Sequence, residues 1–159
     1  MKRPIATIVL MVLGFQTAMA VEKVAADVQF ARKLQPLFKP KCLACHGEDP
    51  KKLKGELVVR SLAGVLKGGE SEEPSIVSGK PEQSPLYLAV TRKHEDDWSA
   101  MPPKENDKLT ARQVDYVKQW IVAGASWPNA KRIAEIMRTP DPWGAVSYTH
   151  LTLPTSDLV

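Results

Sequence analysis

Apolar residues in this chain fall into short runs at helical spacing, separated by stretches rich in charge, glycine and proline. From Asp27 onward, Val28, Ala31, Leu34 and Phe38 recur near the helical period. Pro36 and Pro40 interrupt that pattern, and Pro36 suits the first turn of a helix better than its middle. The spacing therefore predicts a short helix that restarts near Gln35 and runs, kinked at Pro40, into the two cysteines at 42 and 45. Leu57, Val58 and Val59 form a brief apolar segment. Ser61 then offers an N-cap for a helix from Leu62 to Leu66, stopped by Gly68-Gly69. A second cap at Ser84, with Pro85 at the first helical position, predicts a helix from Leu86 to about Arg92. That helix offers Leu86, Leu88, Ala89 and Val90 to a core. The clearest helix follows Thr110. Thr110 with Gln113 makes a capping box, and Leu109 with Val114 a hydrophobic staple. Val114, Val117, Trp120 and Ile121 repeat at helical spacing, and Gly124 ends the run. This helix is expected to pack across the first one, with Trp120 and Trp127 as core residues. A further short helix is expected over 129–138.

The two ends depart from this pattern. Met1-Lys2-Arg3, the apolar run from Ile5 to Phe15 and the small residues of Ala18-Met19-Ala20 read as a secretory signal peptide over residues 1–20. The run is well short of the ~20 residues that a membrane-spanning helix needs. Residues 21–143 read as one domain. From about Gly144 the chain becomes a Thr/Leu string with no lysine or arginine and no amphipathic pattern. Residues 144–159 read as an irregular, non-native tail, so His150 is given no role and the native chain is expected to continue differently.

Charge narrows the partners. The formal net charge is +4, but without Lys2 and Arg3 there are 20 basic against 18 acidic residues, which gives no basis for nucleic-acid binding. Only two cysteines are present, so no disulfide framework supports a core of this modest size.

Both cysteines lie in Cys42-Leu43-Ala44-Cys45-His46, the attachment signature of a c-type haem. Each thiol adds to one porphyrin vinyl group, one helical turn sets the sulfurs at the right spacing, and the adjacent imidazole becomes the fifth iron ligand. The competing readings are a redox disulfide and half of a zinc site. Zinc would need two more well-spaced ligands, and a thioredoxin-like site would need a βαβ pattern that the sequence lacks. In the haem reading Leu37 and Phe38 pack on the haem, and the buried haem supplies the missing core. Two propionates would offset most of the residual positive charge. Lys39, Lys41, Lys51, Lys52 and Lys54 cluster in sequence around the motif. They read either as an electrostatic collar for an acidic redox partner or, more simply, as a solvated surface whose nearby acids dilute the field.

An electron-transfer haem needs a sixth ligand that does not exchange. Beyond the signal segment the thioether candidates are Met101 and Met137, and the imidazole candidates are His94 and His150. Pro102 and Pro103 stiffen the backbone after Met101 and suit a strap. On residues alone, Met101 stays balanced between ligand and core filler.

In the order and spacing of its motifs, the chain from about Val28 to Pro128 resembles the planctomycete-type cytochrome c domain. The motifs are Gln35-Pro36-Leu37-Phe38, Cys42 to Gly47, Gly55-Glu56-Leu57, Leu66-Lys67-Gly68-Gly69, Ile76 to Pro81, Met101-Pro102-Pro103 and Trp120 to Pro128. The resemblance implies an all-α, class I-like cytochrome c fold, with three to four short helices and long loops around one covalent haem c. It implies axial ligation by His46 and Met101, with Cys42 and Cys45 as tethers. It implies an exported, periplasmic or extracytoplasmic electron carrier with a redox partner protein and no catalysis of its own. Such domains often open longer exported proteins. The alternatives are a haem enzyme or sensor with an open or labile sixth site, and the electron-entry domain of a larger exported oxidoreductase. Pro40 departs from the family's smooth helix into the cysteines, which leaves the helix start open but not the haem.

Overall fold

The computed structural model describes residues 23–94 and 96–140, so the signal segment and the tail with His150 lie outside the described residues. The expected all-α architecture is found: among the described residues there are helices and turns and no strand. The chain is helical from residue 23 to 29 (α1) and continues through a π-helical segment, Phe30–Leu34, into α2, Gln35–Lys41. The remaining helices are α3 (Leu43–His46), α4 (Leu62–Lys67), α5 (Pro85–Thr91), α6 (Ala111–Val122) and α7 (Ala130–Arg138).

The first helix therefore does not restart near Gln35. It accommodates Pro36 by widening the turn before it, where the Gln35 N–H donates to the Phe30 carbonyl, five residues back. A proline removes one donor and crowds the carbonyl four residues earlier, so a locally widened turn there has an identifiable cause. The helix ends at Cys42 (φ −122°, ψ −44°), two residues beyond Pro40, and a separate turn, α3, carries Cys45 and His46.

Phe30, Leu34, Leu37 and Phe38 lie at helical spacing on one face and are all buried. α6 packs on that face. Phe38 and Trp120 meet edge-on at 5.7 Å between ring centroids, Phe30 and Trp127 at 4.7 Å, and Trp120 and Trp127 at 5.8 Å. Such tilted and T-shaped pairs are the favoured aromatic geometries. Trp120 is fully buried, and its indole N–H donates to the Ser126 carbonyl at 2.8 Å, so its one polar atom is satisfied.

Four of the predicted caps and endings are in place. Ser61 Oγ accepts from the Gly64 N–H, and Gly68, at φ +80°, ends α4. A Cβ on Gly68 would also lie 2.0 Å from the Glu73 carbonyl oxygen, so both conformation and space require glycine there. The capping box at Thr110 is complete, with Gln113 N–H donating to Thr110 Oγ1 at 3.2 Å and Thr110 N–H to Gln113 Oε1 at 2.9 Å. After α6, Gly124 N–H donates to the Ile121 carbonyl and Ala125 N–H to that of Trp120, the paired bonds of a Schellman ending. Ser84 is different. Its side chain does not cap α5; fully buried, it accepts from the Val77 N–H and donates to the Lys80 carbonyl, each at 2.9 Å.

α7 closes the far side. The Asn129 side chain caps it, and Arg32 reaches from the π segment to the Ile136 carbonyl at 2.7 Å and to Thr139. The buried carboxylate of Asp27 accepts from Ser126 Oγ at 2.5 Å and lies 3.6 Å from Arg132. A buried charge held this way is paired rather than stranded.

Candidate functional site

α2 delivers Cys42, and the turn α3 places Cys45 three residues later on the same side. The Cys42 N–H donates to the Phe38 carbonyl at 2.8 Å and the His46 N–H to that of Cys42 at 2.9 Å, so the motif is built on hydrogen-bonded backbone. Gly47 ends α3 outside the left-handed region, with φ −83°. Space is the constraint: a Cβ there would stand 2.7 Å from the Leu43 carbonyl oxygen.

The segment after the motif returns to support it. Lys54 N–H donates to the Cys45 carbonyl at 2.9 Å and Val59 N–H to that of His46 at 2.8 Å. His46 Nδ1 lies 3.3 Å from the Leu57 carbonyl oxygen. As donor to that carbonyl, Nδ1 fixes the ring and leaves Nε2 with the free lone pair that a metal ligand requires.

Cys42, Cys45 and His46 line a cavity of about 410 Å³, within the usual range for small-molecule sites. Its walls are mainly apolar: Leu37 and Phe38 from α2, Leu57 and Val59 from the returning segment, Leu86 and Val90 from α5, and Leu109 and Val117 around α6. Met101 and Pro102 line the same cavity. In the strap that carries them, the Met101–Pro102 peptide is cis, and the Met101 N–H donates to the Ala89 carbonyl at 3.0 Å. The other sixth-ligand candidates are not brought to the cavity. His94 is absent from its lining, and Met137 lies on α7, about half exposed.

Electrostatics around the motif are mixed. Lys41 Nζ donates to the Asp107 carbonyl at 3.0 Å and pairs with its carboxylate, and Lys52 pairs with Asp49 at 3.3 Å. Lys39, Lys51 and Lys54 are exposed, and Lys54 reaches the cavity. Burial pushes the Cys42 thiol up to about 12; the charge of Asp107 adds to this and that of Lys41 opposes it. Cys45 is exposed.

The donor set suits a haem. Two thiols, an imidazole with an oriented ring and a thioether converge on one apolar cavity. No group of three or more His, Cys, Asp or Glu among the described residues could hold a metal ion, so the zinc reading gains no support there. Several contributors were not foreseen. Trp98 and Asp97 line the cavity, Tyr87 is buried beside Val90, and Arg92 holds the strap. Their spacing carries no periodic signal, because loop and helix-end residues are positioned by tertiary contacts.

Residues 42–105, from the first cysteine of the motif to just beyond the Met101 strap, match the planctomycete cytochrome C family. That match bears out the resemblance over this segment, and the family is one of haem-binding cytochromes. The chain is also similar to the hydrazine synthase subunit alpha of Kuenenia stuttgartiensis, at 30% identity over 142 residues, covering 71% of this chain and 17% of that protein. The chain thus spans less than a fifth of the curated relative it matches. No solved structure matches it.

Proposed function

From the premise that residues 42–105 are a planctomycete cytochrome c segment, we propose that this chain carries an exported monohaem c-type cytochrome domain that transfers single electrons. The haem, when bound, supplies a one-electron ferrous/ferric couple. Cys42 and Cys45 would hold it through thioether bonds, and His46, its ring oriented by the Leu57 carbonyl, and Met101 would supply the two protein ligands to its iron. A soft thioether ligand favours the ferrous state and raises the reduction potential, and apolar walls do the same by keeping water from the added charge. The observation that carries this reading is the convergence of His46 and Met101 on one cavity, each on backbone tied down by hydrogen bonds.

Absorption spectra of protein expressed with export and haem-maturation machinery test the ligation. The expected result is a low-spin, six-coordinate iron whose thioether signature disappears in Met101→Ala. A high-spin resting iron in the wild type would instead favour an enzyme or sensor with an open sixth site.

A second reading is supported by the relative of much greater length: the domain serves as the electron-entry module of a larger exported oxidoreductase. Recovering the gene beyond codon 144 tests it. A continuous open reading frame with further domains is expected, and an immediate stop codon argues against it. No helix among the described residues is long and apolar enough to cross a membrane. The electron donor or acceptor is then a redox partner protein, or another domain of the same chain.

A further inference from the structure

The Met101 strap has few means of holding itself. Pro102 and Pro103 have no N–H, so this stretch lacks two consecutive backbone donors. Its anchors come from elsewhere. Arg92 closes α5 in the left-handed conformation (φ +57°). Arg92 Nη1 donates to the Pro102 carbonyl at 2.6 Å, and Nη2 lies 3.0 Å from Glu105 Oε2. The Arg92 side chain is only 19% exposed, which shields its bond to the Pro102 carbonyl, whereas the Glu105 side chain is 68% exposed and its ion pair with Arg92 is open to solvent. Glu105 stays ionised: the hydrogen bond from Lys108 and its charge hold the carboxyl below its usual range, Arg92 adding less. A more distant anchor is Lys41, beside the haem-attachment motif, which holds Asp107.

We propose that Arg92 is a positioning residue for Met101, pinning the Met101-Pro102-Pro103 strap so that the thioether stays in the haem pocket. The inference rests on Met101 being the sixth ligand. One planar guanidinium makes both bonds at once, to the carbonyl next to Met101 and to the carboxylate that follows it, and an ammonium cannot fork in that way. Without Arg92 the Pro102 carbonyl loses its charged donor, the strap moves more freely, and the sixth position opens to small ligands.

Imidazole titration of the ferric holoprotein, followed by absorption, tests this. Arg92→Gln is expected to bind imidazole about tenfold or more tightly than the wild type, the effect of losing one hydrogen bond to a charged group. Glutamine at this position bears the same left-handed backbone cost as arginine, so the comparison does not mix strain with anchoring. Arg92→Lys keeps the charge and loses the fork, so its affinity is expected to rise above the wild type; should the Gln variant fail to fold, this variant decides. Lys41→Gln removes an anchor six residues from Met101 and is expected to change affinity less. Unaltered imidazole affinity in the Arg92 variants overturns the proposal, and so does an equal effect from Lys41→Gln, which would mark general loosening. Failure of the ligation itself is a separate result, seen when Met101→Ala leaves the wild-type spectrum unchanged.

Discussion

Cys42 and Cys45 share one motif but not one environment. Cys42 is half-buried beside Phe38 and Leu37, whereas Cys45 is exposed. Before haem is attached, burial keeps the Cys42 thiol protonated up to about 12, against an ordinary value of 9.0. Its raised pKa makes any contribution to stability fully present below pH 9.0 and lost as the pH rises from there toward 12, because the unfolded chain ionises first. In haem-free protein at pH 8, iodoacetamide is expected to modify Cys45 well ahead of Cys42, as read by peptide mass. Urea should abolish the difference, and equal rates in the folded protein would contradict the burial of Cys42. The motif that lines the pocket was legible from five letters of sequence. The orientation of His46 was not, because its partner is the Leu57 carbonyl, eleven residues away, and backbone carbonyls leave no mark on a residue pattern.

Among the elements, what could be read was whatever the chain states locally. The Thr110 capping box, the Gly124 ending and the caps of α4 depend on residues within one turn of each other, and all are in place. The sequence was misleading where a long-range contact outcompeted a local signal. Ser84 has the position of an N-cap before Pro85, yet its hydroxyl is taken by Val77 and Lys80 in the loop behind it. These two serine and threonine roles predict different mutational costs. Thr110→Ala should cost about 1 kcal/mol, the usual loss of a cap. Ser84→Ala should cost about 1–3 kcal/mol, because it leaves the Val77 N–H without its acceptor beside a fully buried position. Urea unfolding of the two variants checks the order. The prolines were ambiguous for a similar reason: Pro36 can begin a helix or be absorbed by one, and burial of Phe30, Ala31 and Leu34 keeps the chain helical through it, with a widened turn as the result.

At the scale of the whole molecule, the aromatic cluster of Phe30, Phe38, Trp120 and Trp127 fixes α2 against α6, and the haem pocket lies directly beside it. Phe38 belongs to both, so the pocket wall is also core. A group bound only by the folded state adds to its stability. The Cys42→Ala/Cys45→Ala double variant, expressed in the same way, should therefore lose the covalent haem and melt at least several degrees lower by circular dichroism. An unchanged melting temperature would mean that the helices pack without regard to the pocket.

The central claim is that this pocket carries one haem, bound through Cys42 and Cys45. The most direct test is the intact mass of the exported protein, made with haem-maturation machinery and denatured before measurement. The expected mass is that of the processed chain plus one haem, retained through acid extraction. A denatured chain at its unmodified mass would contradict it.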